Sequence, residues 1–344
     1  MPAGPVGRAT AVGRPSTTLA AALAQQQPPP PQGGRAHNPP PPAARVTSAP
    51  LARSVGFVGC GAMGEALARG LVGAGVLSAG DITASIRTPA RRAVLERFGA
   101  TVVGDAISGG GAAAVAAAAD VVVIGVKPGA VPAVLDALAP HLDVGRHLVV
   151  SIAAGVPLAA LEGRLPAGAR VARVMPNTPC LVGEGASVYA MGGAATPADA
   201  DTVDALLASV GLALRLDEAQ VDAATGLSGC GPAFCFLGIE ALADGGVQAG
   251  LPRDMAIALA AQTMAGAARM VLESGGDGGG GGPAGAAPAT PTLAHPAILR
   301  EHVCSPGGAT IAGVAELEAA GVRGAFGRAV VAAARRAGEL AGSK

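Results

Sequence analysis

A glycine cluster, Gly59-Cys60-Gly61-Ala62-Met63-Gly64, follows the apolar run Val55-Gly56-Phe57-Val58 and leads into an amphipathic stretch from Glu65 to Ala74. Strand, glycine-rich turn and helix in that order form a dinucleotide-binding fingerprint. Gly59 permits the tight turn, Gly61 lets the backbone approach a pyrophosphate, and Gly64 lets helix and strand pack closely. The free N–H groups of the first helical turn, around Ala62 and Met63, point at the phosphates. In a chain with 53 glycines the spacing alone is a weak signal. The strand before it and the helix after it make the reading specific.

The second half of the test is an acid about 20 residues further on, at the end of the second strand, to hold an adenosine ribose. That strand reads Ile82-Thr83-Ala84-Ser85-Ile86 and continues into Arg87-Thr88, with no Asp or Glu at its end. Ser85, Arg87 and Thr88 stand there instead, and Arg91 and Arg92 follow one turn later. Hydroxyls and guanidinium groups suit a 2′-phosphate, so the expected cofactor is NADPH, with NADH as the alternative.

The 344 residues allow two domains and a sizeable core. The net charge of zero gives no reason to expect a nucleic-acid partner. No uninterrupted apolar run reaches the length of a membrane span. The five cysteines, Cys60, Cys180, Cys230, Cys235 and Cys304, contain no CxxC pair and read as reduced thiols rather than a zinc site or disulfide framework. No metal is expected. The cysteines are expected as small buried filler; the alternative is that oxidation of Cys60 in the phosphate turn or of Cys304 beside a second glycine turn touches activity.

Residues 1–53 differ from the rest. They hold twelve prolines and five arginines but no Asp or Glu. Such a segment cannot bury a core, and it reads as disordered. Its acid-free, arginine-bearing composition is that of an organelle transit peptide, with the plastid as first expectation and the mitochondrion or cytoplasm as alternatives.

From Ser54 the chain alternates strands and helices, and strands are expected over 55–58, 82–86, 101–103, 120–126, 147–152 and 171–175. The alternation predicts a parallel, doubly wound sheet over 54–217, with 187–191 and 213–216 as further strands. After Asp217 the pattern turns helical, over 223–249, 252–272 and 322–340. Residues 218–344 therefore read as an all-helical second domain serving oligomerisation. Two low-complexity stretches stand out, 109–114 and a Gly/Ala/Pro insertion over 275–294; neither is given a chemical role.

Four further segments carry candidate chemistry. Val126-Lys127-Pro128 ends the fourth strand, where open sheets bind ligands, and Lys127 is one of only two lysines in the chain. Arg173-Val174-Met175-Pro176-Asn177-Thr178-Pro179 ends a later strand; Asn177 and Thr178 offer polar groups toward a nicotinamide, and a cis-proline bond would fit the loop. Ser228-Gly229-Cys230-Gly231-Pro232-Ala233 reads as a turn opening the helical domain. Ser305-Pro306-Gly307-Gly308-Ala309-Thr310 opens a later helix, and its backbone amides form an anion site suited to a carboxylate.

Together these stretches resemble pyrroline-5-carboxylate reductase, and plant-type members above all. VGFVGCGAMGEALARGL, VKP, SIAAG, RVMPNTP, TGLSGCGPAF and VCSPGGATIAGVAELE occur in order between Ser54 and Leu340. The resemblance implies a Rossmann domain followed by a helical domain that interlocks with a second subunit, as a homodimer or a larger assembly. It also implies reduction of 1-pyrroline-5-carboxylate to proline by hydride from NADPH.

By the same resemblance, Thr310 and Ser305 are the catalytic residues. Val303, Gly307, Gly308, Ala309 and Ser228 hold the substrate. Gly59, Gly61, Ala62, Met63, Gly64, Ser85, Arg87, Val126, Lys127, Pro128 and Asn177 hold the cofactor. The chain departs from the family in Cys230, Cys304 and the 275–294 insertion. A β-hydroxyacid dehydrogenase or imine reductase is the rival enzyme, but the former uses a lysine in its helical domain, and none lies between Lys127 and Lys344. A non-catalytic NADP-binding regulator is the third reading, disfavoured by the intact SPGGAT turn.

Overall fold

The computed structural model describes residues 53–105, 107–108, 110–273 and 295–342. The expectations for 1–52 and for the whole 275–294 insertion lie outside these residues. Eight strands form one sheet: β1 (Val55–Val58), β2 (Ile82–Ser85), β3 (Thr101–Val103), β4 (Val121–Ile124), β5 (Leu148–Ser151), β6 (Arg170–Met175), β7 (Gly185–Met191) and β8 (Gly211–Arg215). Their spatial order is β3-β2-β1-β4-β5-β6-β7-β8. The sheet is parallel except where β7 runs antiparallel to β6. That reversal departs from an all-parallel sheet. β6 and β7 are joined by a short segment with the 3₁₀ turn Thr178–Val182, and no α-helix crosses between them.

Helices cover both faces: α1 (Ala62–Gly73), α2 (Pro89–Phe98), α3 (Gly111–Ala118), α4 (Val131–Leu138), α5 (Leu158–Glu162), α6 (Pro197–Ala208) and α7 (Glu218–Ala224). Alternate strand residues feed two cores. Val55, Phe57, Val121 and Val123 pack with Leu67, Leu71, Leu95 and Leu206 on one face. Val58, Val122 and Ile124 pack with Val115, Val134, Leu135 and Leu161 on the other. Strands buried on both sides explain the unbroken valine runs in the sequence.

The stretch 109–114 is no inserted spacer. Gly111 begins α3, the crossover helix between β3 and β4, and Val115 is fully buried. An almost pure Ala/Gly helix has no polar face to betray it. The loop after β6 contains no cis bond, and none occurs among the described residues.

Beyond the sheet come α8 (Gly231–Gln248), α9 (Arg253–Glu273), α10 (Pro296–His302), α11 (Ala309–Ala319) and α12 (Val322–Gly342). The expected turn at 228–233 is instead helical. Thr225–Gly229 forms a π segment that links α7 to α8 in one long rod, with Pro232 in the first turn of α8. Gly226 makes this possible. A Cβ there would come within 2.7 Å of both the Ala334 nitrogen and the Val330 carbonyl oxygen of α12.

The helical domain buries little of itself. Ala243, Ala256 and Ala260 are its buried apolar cluster, while Phe236, Leu237 and Val331 are each more than 60% exposed. The rod Glu218–Gln248 and helix α9 are also long and apolar enough, by length and composition, to cross a bilayer, each with mean hydropathy 1.4. Glu240 and Asp244 break the run in α8 without removing the apolar excess around them.

Candidate active site

The phosphate turn has the form its three glycines predict. Gly59 takes φ +79°, and a Cβ on it would collide with the Val126 side chain. Val126 thus acts as the wall behind the turn. A Cβ on Gly64 would press on Cys60 Sγ at 3.1 Å and Phe57 Cδ1 at 3.4 Å, so this glycine sets the closeness of α1 to β1. Around Gly61 there is nothing within 4 Å of where a Cβ would stand. The backbone there faces open space, in front of the start of α1. Gly61 caps that helix with no side chain, and the first helical bond is from the Glu65 amide to the Gly61 carbonyl at 2.9 Å. The amides of Ala62, Met63 and Gly64 are left for an incoming anion. This cradle fits a dinucleotide pyrophosphate.

A cleft runs from this turn along the ends of β1, β2 and β4. Gly59, Gly61, Ser85, Arg87, Thr88, Val126 and Lys127 line it. Ser85 is buried, and its hydroxyl oxygen accepts the Gly59 N–H at 3.2 Å. It braces the turn, so the exposed polar groups at this end are Arg87 and Thr88. Arg91 also lines the cleft but is paired, with Nη2 2.7 Å from Glu65 Oε2. Burial pushes the Glu65 carboxyl up, but the Arg69 hydrogen bond and the Arg91 charge outweigh it and hold it below its usual value. Arg92 is spent on β3, donating to the Val102 carbonyl at 3.2 Å and the Val103 carbonyl at 2.8 Å. Of the arginines expected at a 2′-phosphate, Arg87 alone is exposed in the cleft without an ion pair among the described residues.

Cys60 follows the buried-filler reading and not the redox alternative. It is fully buried, and burial pushes its thiol up to about 12, with Arg91 opposing weakly. A thiol held protonated is a poor nucleophile and resists oxidation.

Lys127 is exposed at the mouth of the cleft, and Pro128 begins the short 3₁₀ turn Pro128–Ala130 behind it. Asn177, expected to face the nicotinamide, serves as a joint instead. Its Nδ2 donates to the Ser228 carbonyl at 3.0 Å, and its Oδ1 accepts the Ala186 N–H at 2.9 Å. Both ends of this buried amide are thereby engaged. Ser228 in turn donates its hydroxyl to the Ala224 carbonyl at 3.0 Å, along the π segment. A Cβ on Gly229 would lie 2.8 Å from Met175 Cε. The segments RVMPNTP and TGLSG, far apart in sequence, therefore lock together.

Sequence reasoning passed over two groups here. Arg173 is buried and pairs with Glu218 at 3.2 Å and Asp222 at 2.9 Å, tying β6 to α7. Asp105, two residues past β3, lines the cleft beside Arg87. Its position after a strand end was the available signal for it.

The Ser305–Thr310 segment turns through Gly307, at φ +67°, into α11. The Gly308 amide is not free, because it closes the turn on the Ser305 carbonyl at 3.0 Å. This removes Gly308 from the backbone amides expected to hold a carboxylate, and leaves those of Gly307, Ala309 and Thr310 to face an anion. A Cβ on Gly308 would run into the Ser305 hydroxyl. Val303, Ser305, Gly307, Ala309 and Thr310 are all exposed, and none of them lines the dinucleotide cleft of the same protomer.

Comparison with known proteins bears on both halves. Residues 218–340 match the family described as pyrroline-5-carboxylate reductase dimerisation, and residues 54–155 match that described as NADP oxidoreductase, coenzyme F420-dependent. Pyrroline-5-carboxylate reductase of Pisum sativum is 45% identical over 287 residues, covering 83% of this chain and 96% of the relative. Human pyrroline-5-carboxylate reductase 2 is 41% identical, covering 83% of each. The solved Coxiella burnetii pyrroline-5-carboxylate reductase is 32% identical with TM-score 0.72, over 84% of this chain and 98% of that one. The Plasmodium falciparum pyrroline carboxylate reductase, solved with NADP bound, is 29% identical with TM-score 0.69, over 85% and 100%.

Proposed function

Because the chain belongs to the pyrroline-5-carboxylate reductase family, we propose that it reduces 1-pyrroline-5-carboxylate to L-proline at the expense of NADPH, the last step of proline biosynthesis. The observation that carries this reading is the presence of two separate anion-binding helix starts. One follows a dinucleotide turn, and the other opens α11 within the family's dimerisation segment.

NADPH, when bound, supplies a hydride to the ring carbon of the C=N bond. The chain binds and orients. The α1 amides take the pyrophosphate, and Arg87 and Thr88 take the 2′-phosphate. Lys127 adds positive charge at the cleft mouth. The free amides of Gly307, Ala309 and Thr310 hold the substrate carboxylate at the α11 N-terminus, with Val303 and Ser305 flanking it. The Thr310 hydroxyl serves the imine nitrogen, where the product must gain a proton. Gly308 and Ser228 act through structure, one closing its turn and the other its π segment.

The substrate turn stands apart from the cleft of its own protomer, and the helical domain exposes a broad apolar surface. The reading that reconciles them is a homodimer, extendable to larger assemblies, in which the partner's helices complete each site. A chain residing in the plastid is the accompanying proposal, supported by the acid-free, arginine-bearing residues 1–53. A fluorescent reporter fused behind residues 1–53 checks it, and cytosolic fluorescence in an algal or plant cell refutes it.

The test of function is NADPH-dependent formation of proline from pyrroline-5-carboxylate by the purified protein. NADPH binding without turnover would favour the non-catalytic reading instead.

A further inference from the structure

An acid stands on the adenosine side of the cleft although the second strand provides none. Asp105 lines the same cleft as Ser85, Arg87 and Thr88. Its carboxylate is fixed in place. Oδ1 accepts the Ile107 N–H at 3.0 Å, the Ser108 N–H at 2.9 Å and the Ser108 hydroxyl at 2.9 Å. Its backbone carbonyl accepts the Gly111 N–H at 2.9 Å, which braces it on the start of α3. The packing there is close, since a Cβ on Gly111 would come within 2.8 Å of Ser85 Cβ. All three side-chain bonds fall on Oδ1, and Oδ2 accepts none among the described residues. The Asp105 charge interacts with that of Arg87, the one exposed arginine in the cleft without an ion pair among the described residues.

These two charges favour different ligands. A 2′-phosphate needs the guanidinium and is opposed by a nearby carboxylate, whereas an unphosphorylated ribose offers hydroxyl donors that a carboxylate accepts. We propose that Asp105 is the residue that sets cofactor discrimination: it draws on Arg87 and accepts a ribose hydroxyl, and so narrows the NADPH preference that Arg87 and Thr88 provide. The inference rests on the reading of this cleft as the dinucleotide site.

The test is calorimetric binding of adenosine 2′,5′-bisphosphate and of adenosine 5′-monophosphate to the full-length protein. Asp105→Asn removes the charge but keeps the carbonyl oxygen that the 107–108 turn requires. Its affinity for the bisphosphate should rise relative to the monophosphate by about three- to tenfold at low salt, and less at high salt. In an Arg87→Ala background the same substitution should give a smaller change in that ratio. An unchanged ratio, or an equal shift for both probes, overturns the inference and leaves the cleft assignment standing. Binding of neither probe to the unsubstituted protein overturns the cleft assignment, and the inference with it. A melting temperature equal to that of the unsubstituted protein is expected for Asp105→Asn. A fall of several degrees would mean that the charge serves the loop, which also counts against the proposal.

Discussion

Arg173 Nη2 lies 2.9 Å from Asp222 Oδ1, and the same guanidinium reaches Glu218 Oε1 at 3.2 Å. Glu218 Oε1 also accepts the Leu158 N–H at 2.6 Å. One buried cation at the end of β6 thus holds α7, the first helix beyond the sheet, and through it the long rod of the helical domain. The loop carrying Asn177 begins two residues after β6 ends, so the clamp fixes both the loop and the π segment it meets.

Replacing Arg173 with Met should cost about 2–3 kcal/mol of stability, at the low end for a broken buried pair because both acids are partly exposed. Urea unfolding measures it. A midpoint equal to that of the unsubstituted protein would show that the clamp contributes nothing net.

Gly59 and Gly61 should separate folding from binding. Gly59→Val forces a branched residue into φ +79° and into the Val126 side chain, and should destabilise by at least about 2 kcal/mol. Gly61→Val has open space and an ordinary φ of −73°, so the melting temperature should hold. The new side chain occupies the pyrophosphate space, and NADPH affinity should fall by about tenfold or more. Unaltered NADPH binding to Gly61→Val would remove this turn from the cofactor site.

Cys60 carries a pH dependence. Its folded thiol is raised to about 12, while an unfolded thiol titrates near about 8.5. The unfolded state loses its proton first as pH rises. Stability from this group is therefore complete below about pH 8.5 and is lost between there and 12. Cys60→Ala should flatten the alkaline fall in unfolding free energy. Rapid alkylation of Cys60 in the native protein at pH 8 would contradict its protonated, buried state.

Thr310→Ala should leave folding and NADPH binding intact and lower kcat/KM by about 1–3 kcal/mol, or about five- to 150-fold. Gly308→Val should be worse, because the added side chain meets Ser305 and opens the turn itself. Unaltered efficiency for Thr310→Ala would make the segment a plain helix start and move the substrate elsewhere.

The β1–turn–α1 unit was legible because its chemistry is local: Gly59 and Gly64 answer contacts with Val126, Cys60 and Phe57, and Gly61 keeps the space in front of α1 open. The Ala/Gly helix α3 was not, since its buried side (Ala112, Val115, Ala116) and its exposed side (Ala117, Ala118) are built from the same small apolar residues and leave no periodic contrast to read. The π segment at Thr225–Gly229 depends on the α12 backbone beside Gly226, a contact about 100 residues away in sequence. Asn177 and Ser85 had the right chemistry for ligands, yet tertiary partners took their groups. Arg92 was drawn off in the same way by the Val102 and Val103 carbonyls of β3, while Asp105 became a wall of the cleft only through the sheet order.

A chain that turns pyrroline-5-carboxylate into proline with NADPH must consume NADPH as it forms proline. Following NADPH oxidation and proline formation together in one reaction of the purified protein tests it most directly. One proline should form for each NADPH consumed, with NADPH the more efficient cofactor than NADH. NADPH bound but no proline formed, or NADH equal to or better than NADPH, would contradict it.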